Sequence, residues 1–168
     1  MRLADTLLPE LDTELATTRR FFARLPDGRF GWRPHPKSMT VGGLATHIAQ
    51  MAVWGVLTLS QETLDLAPGG TRLPPPVELR TRAEALERLA VQGDRFRDAL
   101  STSDDAALRA PWALLRGGHV LFTLPRMAAL RSFVLNHLVH HRGQLSVYLR
   151  LLDVPVPSAY GPSADESG

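Results

Sequence analysis

Two histidines four positions apart near the C-terminus have the clearest capacity for chemistry. His137 and His141 lie in the stretch NHLVHHRGQ (residues 136–144), whose apolar spacing is helical. Side chains at i and i+4 leave one helix face in nearly the same direction, so both imidazoles can bind one metal ion. His47 is the candidate for a third ligand, because it lies in a second helical apolar pattern, residues 41–59, that should also face a core.

The donor set limits which metal and which chemistry this cluster would support. Neutral imidazole suits Zn, Ni, Cu and Fe, and three imidazoles with open coordination positions describe a reactive site rather than a closed structural one. The chain contains no cysteine, which excludes thiolate ligands, a protein thiol nucleophile and disulfides. We expect Zn or Ni. The plainer interpretation, that these are core histidines on an apolar helix face, stays open at this point.

Residues beside the histidine pair have weaker chemical signals. Gln144 shares the helix face of His141, so we expect it to orient a bound water or a ligand imidazole, or else to satisfy backbone groups. His140 points about 100° away from His141 around the helix, so we expect it at the surface or against a neighbouring helix, with a substrate contact as the less favoured alternative. His35 lies between two prolines and His119 in a predicted hairpin, so both are expected to be structural or solvated.

Charge is distributed unevenly along the chain. The formal net charge is +2, with no basic run or recognition motif for nucleic acid. Residues 106–152 contain no Asp or Glu but six arginines. These are Arg109, Arg116, Arg126, Arg131, Arg142 and Arg150. A solvated helix face with arginines in loops is the favoured interpretation. The alternative is a surface for an anionic group, in which Arg142 is the candidate cofactor-binding residue.

Apolar periodicity predicts an all-α fold. The 168 residues, 44% of them hydrophobic, suit a single domain, residues 1–168, that needs no disulfides. Four stretches with helical spacing are separated by proline- and glycine-rich connectors. They are residues 3–25, 41–59, 81–100 and 126–152. Thr81 and Glu84 fit a capping box at the start of the third stretch. We predict a four-helix bundle with long crossover connections.

Two connecting segments refine this prediction. Residues 112–115 and 119–122 are apolar and flank Arg116-Gly117-Gly118, which indicates a small β-hairpin before the last helix. Residues 67–77 are rich in proline and glycine, which indicates an extended linker that permits a crossover.

The two ends of the chain indicate which residues are ordered and where in the cell the protein is located. We expect an ordered core over about residues 3–157 and a polar tail over residues 158–168. The N-terminus meets Asp5 too early for a signal peptide, and no uninterrupted apolar run approaches the roughly 18 residues of a membrane span. A cytoplasmic protein with no membrane or nucleic-acid partner is therefore expected.

Three motifs resemble those of the DinB-like superfamily, the DNA-damage-inducible four-helix bundle proteins. Residues 32–38 (WRPHPKS) followed by residues 44–48 (LATHI) are similar to the family's entry into its second helix, where the His is a metal ligand. Residues 137–144 are similar to a second signature, in which two histidines complete a three-His site on a divalent metal with water at the remaining positions. Residues 154–166 resemble the ending of a DinB subgroup. The resemblance implies His47, His137 and His141 as the metal ligands.

The same resemblance implies an activity. Better understood relatives resemble thiol S-transferases and maleylpyruvate isomerases, in which the metal activates a low-molecular-weight thiol such as bacillithiol, mycothiol or glutathione. A thiol-dependent S-transferase is implied, with a small-molecule thiol and an electrophile as substrates and a homodimer as the assembly. One alternative is a metal-dependent hydrolase, which lacks an Asp or Glu base near the last helix. Another is a non-catalytic stress-response binding or scaffold protein, although structural metal sites usually have four protein ligands.

Overall fold

The computed structural model describes residues 1–167 and is mostly helical, with a small three-stranded sheet. A π-helical segment, Leu130–Leu135, joins the last two helices without a break, so that one helical run extends from residue 126 to residue 151. The helices are α1 (Leu3–Phe22), α2 (Val41–Ser60), α3 (Arg82–Thr102), α4 (Asp105–Arg109), α5 (Arg126–Ala129) and α6 (Asn136–Leu151).

Each of the predicted helical stretches contains a long helix, and the predicted hairpin is present. Within the described chain the prediction missed the short helix α4, a third strand, two single-turn 3₁₀ helices (Asp27–Arg29 and Pro68–Gly70) and the π-helical segment that divides the last helical run. The predicted cap of α3 is also modified. The Thr81 hydroxyl accepts from the backbone N–H of Glu84, whereas the Glu84 carboxylate accepts from the N–H of Arg80, one residue earlier than a capping box requires.

Helix α2 runs against both α3 and α6, and one glycine permits its close approach to α3. A Cβ added at Gly55 would lie 2.6 Å from the ring of Phe96, which is 1% exposed. No larger residue fits there without a shift of the α3 side chain. Ile48 and Met51 on α2 are completely buried in the same core. This packing holds α2 between its neighbours.

Among the described residues, α2 is the one helix whose length and apolar composition would suffice to cross a membrane. Its most apolar window has a mean hydropathy of 1.2, and 61% of that window is buried inside the fold. Burial in the core accounts for this composition, since a helix packed on several sides needs apolar residues all round.

Hydrogen bonds at the start of α2 fix its first turn to the chain that precedes α3. The Thr40 hydroxyl caps the helix by accepting from the N–H of Gly43 at 2.9 Å, and it also bonds Glu78. The Thr46 hydroxyl accepts from the N–H of Leu79 at 2.8 Å. These contacts set the position of residue 47 along the helix.

The sheet follows the order β1-β2-β3, with β1 parallel to β2 and β2 antiparallel to β3. The strands are β1 (Thr63–Asp65), β2 (Pro111–Arg116) and β3 (His119–Pro125). Gly117 and Gly118 form the β2–β3 turn with φ of +60° and +79°, a conformation that favours glycine. The Asp65 carboxylate accepts from both glycine N–H groups at 2.8 Å, which ties β1 to the turn.

The hairpin packs its apolar side against the final helical run. Trp112 on β2 is completely buried, and its ring centroid lies 5.7 Å from that of Phe133 in the π-helical segment. Phe122 on β3 lies 5.9 Å from the same ring. The small sheet therefore supports the segment that leads into α6.

The described part of the polar tail, residues 158–167, forms hydrogen bonds with α1 and with the segment that follows α6. The Tyr160 hydroxyl donates to the Glu14 carboxylate on α1 at 2.8 Å. Asp165 accepts from the N–H of Val156 at 2.9 Å, and Glu166 accepts from the N–H of Ser158 at 2.9 Å. These hydrogen bonds, one of them to a residue distant in sequence, hold the segment, and apolar periodicity does not reveal them.

Replacement of Asp65 by Ala should loosen the hairpin, because three backbone N–H groups lose their acceptor, including that of Ala67. We expect the melting temperature at pH 7 to fall by several degrees, whereas Asp94→Ala on exposed α3 surface should leave it nearly unchanged. The hydrogen bonds, chiefly from Ala67 and then from the two glycines, lower the pKa of Asp65.

The sign of the pH dependence follows from that lowered pKa. The stabilisation is present above the unfolded-state pKa of Asp65 and is lost as the pH falls through the lower folded-state pKa. Melting curves of the native protein and Asp65→Ala should therefore converge in acid. An equal separation at pH 7 and in strong acid would contradict this account of the turn.

Candidate metal centre

The structure brings the three predicted histidines together between α2 and α6. His47 projects from α2, and His137 and His141 project from the same face of α6. The potential ligand atoms of all three lie within 4.8 Å of one another, and the Nε2 atoms of His47 and His137 are 3.4 Å apart. The ring centroids of His47 and His141 are 4.5 Å apart. Residues distant in sequence thus converge on one point.

This geometry fits a divalent metal. Two nitrogens bound tetrahedrally at about 2.0–2.1 Å from zinc lie about 3.3–3.4 Å apart, the separation seen between His47 and His137. The same pair is too far apart for a well-formed hydrogen bond, for which about 2.7–3.2 Å is usual. Within residues 1–167 the cluster contains three imidazoles and no carboxylate. The protein would therefore supply three donors and leave room for an external ligand.

Burial puts the histidines in the protonation state that binds metal. Burial first, and then the proximity of His141 and His137, lower the pKa of His47 to about 4. Burial also lowers the pKa of His137 and of His141. Hydrogen bonds partly oppose this, from the Phe133 backbone for His137 and from Gln144 for His141. The rings are therefore neutral near pH 7, with nitrogen lone pairs available to a cation.

One ring of the cluster, that of His141, has a side-chain partner at its second nitrogen. The Gln144 amide oxygen lies 2.7 Å from Nδ1 of His141, which leaves Nε2 of that ring for a metal. Of the roles that the sequence allows for Gln144, contact with a candidate ligand imidazole is the one that the structure has, through His141. The Gln144 amide nitrogen lies 3.1 Å from Nε2 of His140, which is exposed as expected.

An aromatic pair forms one side of the cluster. Trp54 and Phe133 stack with ring centroids 5.0 Å apart and planes 8° apart, and both are only partly buried. The Trp54 ring lies 5.6 Å from that of His47 and 5.7 Å from that of His137. The sequence allows Trp54 to wall a pocket but favours core packing for it, and it places Phe133 on the inner face of the last helical stretch; neither signal alone marks the two rings as neighbours of the site. Helical spacing could have found them, since Trp54 is seven residues after His47 and Phe133 is four before His137.

The remaining two histidines of the chain, His35 and His119, lie outside the cluster. His35 is exposed, and its Nδ1 accepts from the backbone N–H of Lys37 at 3.1 Å. His119 is exposed at the start of β3. Their expected structural or solvated roles agree with these positions.

Arg142, the candidate cofactor-binding residue, lies in a buried ion pair. Its side chain is 2% exposed, and its guanidinium pairs with the Glu14 carboxylate on α1 at 2.6 Å. It also donates to the Thr18 hydroxyl at 3.2 Å and to the Tyr160 hydroxyl at 2.7 Å. Those donors are committed to protein acceptors, so the geometry gives Arg142 a structural role that links α1, α6 and the tail.

Most other arginines of the acid-free region also have partners from elsewhere in the fold. Arg131 pairs with Glu10 and Arg150 with Asp165. Arg109 pairs with Asp105, and Arg126 donates to backbone carbonyls. An acid-free stretch of sequence is therefore not an acid-free surface, because carboxylates from outside the stretch pair with Arg109, Arg131 and Arg150.

The fold and the cluster together define a class: a mostly helical protein in which three histidines from two helices meet at one metal-compatible point. A model of the DinB superfamily matches residues 10–145. The chain belongs to the DinB superfamily, as its motifs predicted.

Known proteins resemble the chain over nearly its whole length. The uncharacterized protein YrdA of Bacillus subtilis (strain 168) is 26% identical over 163 residues, which are 96% of this chain and 90% of YrdA. A crystal structure of a DinB-like protein from Bacillus cereus ATCC 10987 matches with a TM-score of 0.71 and 23% identity, covering 93% of this chain and 97% of that one.

A more distant structural match is the mycothiol-dependent maleylpyruvate isomerase. Its TM-score is 0.52 at 13% identity, covering 92% of this chain and 64% of the isomerase chain. At such identities the two structural matches show a shared fold.

Replacement of His137 by Ala should abolish tight metal binding, because two imidazoles remain where three converge. We expect about one divalent metal per chain in the native protein. The loss of affinity in the variant should exceed the roughly 10–100-fold caused by removing a residue that only supports a ligand. Elemental analysis and competition with a chelating dye measure both quantities. His119→Ala is the matched control, and equal metal content in all three proteins would refute the site.

Replacement of Arg142 by Met should leave the Glu14 carboxylate buried without its cation. We expect the free energy of unfolding to fall by about 3–5 kcal/mol, the usual cost of breaking a buried pair by removing one partner. The double variant Glu14→Leu/Arg142→Met should recover much of that loss. Urea denaturation measures each value. A single variant as stable as the native protein would show that the pair is not desolvated.

Proposed function

We propose that the protein is a divalent-metal-dependent thiol S-transferase that acts through His47, His137 and His141. The observation that carries the proposal is the convergence of three neutral imidazoles with no protein thiol and no carboxylate in the described cluster. The site then has room for an external thiol as an additional ligand. The shared fold with a mycothiol-dependent isomerase supports a small thiol as that ligand.

Each residue of the site has a defined contribution in this proposal. A divalent metal, with Zn or Ni as the leading candidates, would lower the pKa of a thiol sulfur. The three imidazoles stay neutral because burial lowers their pKa, so they offer lone pairs rather than competing protons. Gln144 orients the His141 ring, and Trp54 with Phe133 excludes water from one side.

The proposed reaction is a substitution at an electrophilic carbon. The thiol sulfur forms a bond to carbon, the bond from carbon to the leaving group breaks, and the leaving group keeps that electron pair. The thiol proton passes to water. No protein acceptor is required, which agrees with a described cluster that has no carboxylate.

The absence of a carboxylate from the described cluster also favours a transferase over a hydrolase. Water is a weaker acid than a thiol, and its activation usually needs a positioned base. Glu14, a carboxylate that reaches α6 from α1, is paired with the Arg142 guanidinium. A non-catalytic scaffold is disfavoured by the number of ligands, because structural sites usually have four protein donors and this cluster has three.

The remaining parts of the proposal concern the setting of the reaction. We propose that the long helices form a four-helix bundle, that the protein assembles as a homodimer, and that it works in the cytoplasm without nucleic-acid or membrane partners. The family resemblance supports the bundle and the homodimer. The burial of α2 inside the fold supports the absence of a membrane partner.

The activity test uses protein loaded with Zn or Ni, an aryl halide as electrophile, and bacillithiol, mycothiol or glutathione. Conjugate should form only when metal and thiol are both present, and His137→Ala should lose this activity while His119→Ala keeps it. An ester substrate without thiol tests the hydrolase. Full conjugation by His137→Ala, or ester hydrolysis without any thiol reaction, would overturn the proposal.

A further inference from the structure

A hydrogen-bonded chain leads from the protein surface to one of the metal-compatible rings. His140 is exposed, and its Nε2 lies 3.1 Å from the amide nitrogen of Gln144. The amide oxygen of the same Gln144 lies 2.7 Å from Nδ1 of His141, which is buried. The three side chains lie on neighbouring turns of α6, so the chain is local and needs no other element.

His137 and His141, the two candidate ligands on α6, are hydrogen-bonded by groups of different chemical kinds. His137 hydrogen-bonds the Phe133 backbone, and a backbone carbonyl can only accept. His141 bonds a side-chain amide, which accepts at its oxygen and donates at its nitrogen. The carbonyl fixes the proton of His137 on one ring nitrogen. The Gln144 amide alone does not fix the position of the His141 proton, because the amide group can rotate and exchange the positions of its oxygen and its nitrogen.

The direction of the Gln144 amide decides which nitrogen of His141 carries the proton. With the oxygen towards His141, Nδ1 carries the proton and Nε2 keeps its lone pair for a metal. With the amide reversed, an N–H group points at Nδ1, the proton moves to Nε2, and that nitrogen cannot bind a cation. Gln144 therefore supports the site in only one of its two orientations.

We propose that His140 is a positioning residue for the metal centre: its unprotonated Nε2 accepts from the Gln144 amide nitrogen and so holds the amide oxygen on His141. The ring of His140 needs no contact with metal or substrate for this role. The inference rests on the three-histidine centre of the proposed function and assigns a new role to a residue outside it.

A double-mutant cycle isolates this role. His140→Phe keeps an aromatic ring beside His141, where the centroids are 4.9 Å apart, but removes the acceptor. Gln144→Glu places an acceptor oxygen at both terminal positions, so the orientation of the group no longer matters. The effect of His140→Phe should therefore disappear in the Gln144→Glu background. His119→Phe is the matched control for an exposed histidine.

Two readouts follow the cycle. Competition with a chelating dye should show zinc affinity falling about fivefold on His140→Phe in the Gln144 protein, the size of one net hydrogen bond, and less than about twofold in the Gln144→Glu protein. In the metal-free protein, ¹⁵N NMR of the imidazoles should show His141 protonated at Nδ1. That proton should be partly transferred to Nε2 in His140→Phe and restored to Nδ1 in the double variant.

The outcomes separate this inference from the proposed function. If the native protein binds zinc and His140→Phe binds it equally well with an unchanged His141 tautomer, the positioning role is wrong and the metal centre stands. Equal losses of affinity in both backgrounds would also overturn it, since packing rather than orientation would then be responsible. Failure of the native protein to bind either zinc or nickel would refute the proposed function, and the NMR comparison still tests the role of His140.

Discussion

Shared burial of three imidazoles between α2 and α6 is the constraint on which the site depends. An imidazolium is costly to bury, and three of them within 4.8 Å would also repel one another. The lowered pKa values of His47, His137 and His141 follow from this cost. The same neutral state is the one that binds a cation. The packing that makes the helices compact therefore also prepares the ligands.

Sequence reasoning succeeded where the determining geometry is local. His137 and His141 share one helix, so their common direction follows from the helical repeat alone. His47 is a harder case, because its meeting with the other two depends on how α2 is placed against α6. The close contact at Gly55 and the hydrogen bond from Leu79 to Thr46 fix α2 against α3 and the chain before it, and α6 packs on α2 as well. Periodicity put His47 only on or beside the apolar stripe, and the family motif supplied the rest.

The features that sequence missed depend on contacts distant along the chain or on backbone detail. Arg142 looked available for a cofactor because its region has no acid, yet its partner Glu14 lies 128 residues earlier. The strand β1 has three residues, too few for a period to emerge, and it exists because β2 pairs with it. The π-helical segment contains no glycine or proline that would signal an irregularity, and its apolar residues continue the helical pattern.

The rotation of α6 about its axis is set by contacts that do not involve the cluster. On one side Arg142 reaches Glu14, and on another Leu138 and Leu145 are buried in the main core. Because residues 141 and 142 are about 100° apart around the helix, fixing the guanidinium on α1 also fixes the direction of the adjacent imidazole. Metal binding then need not supply the folding energy, as it does in structural zinc domains. A preorganised, three-donor cluster agrees with the proposed function, in which the fold holds the three imidazoles and a further coordination position is left for an external ligand.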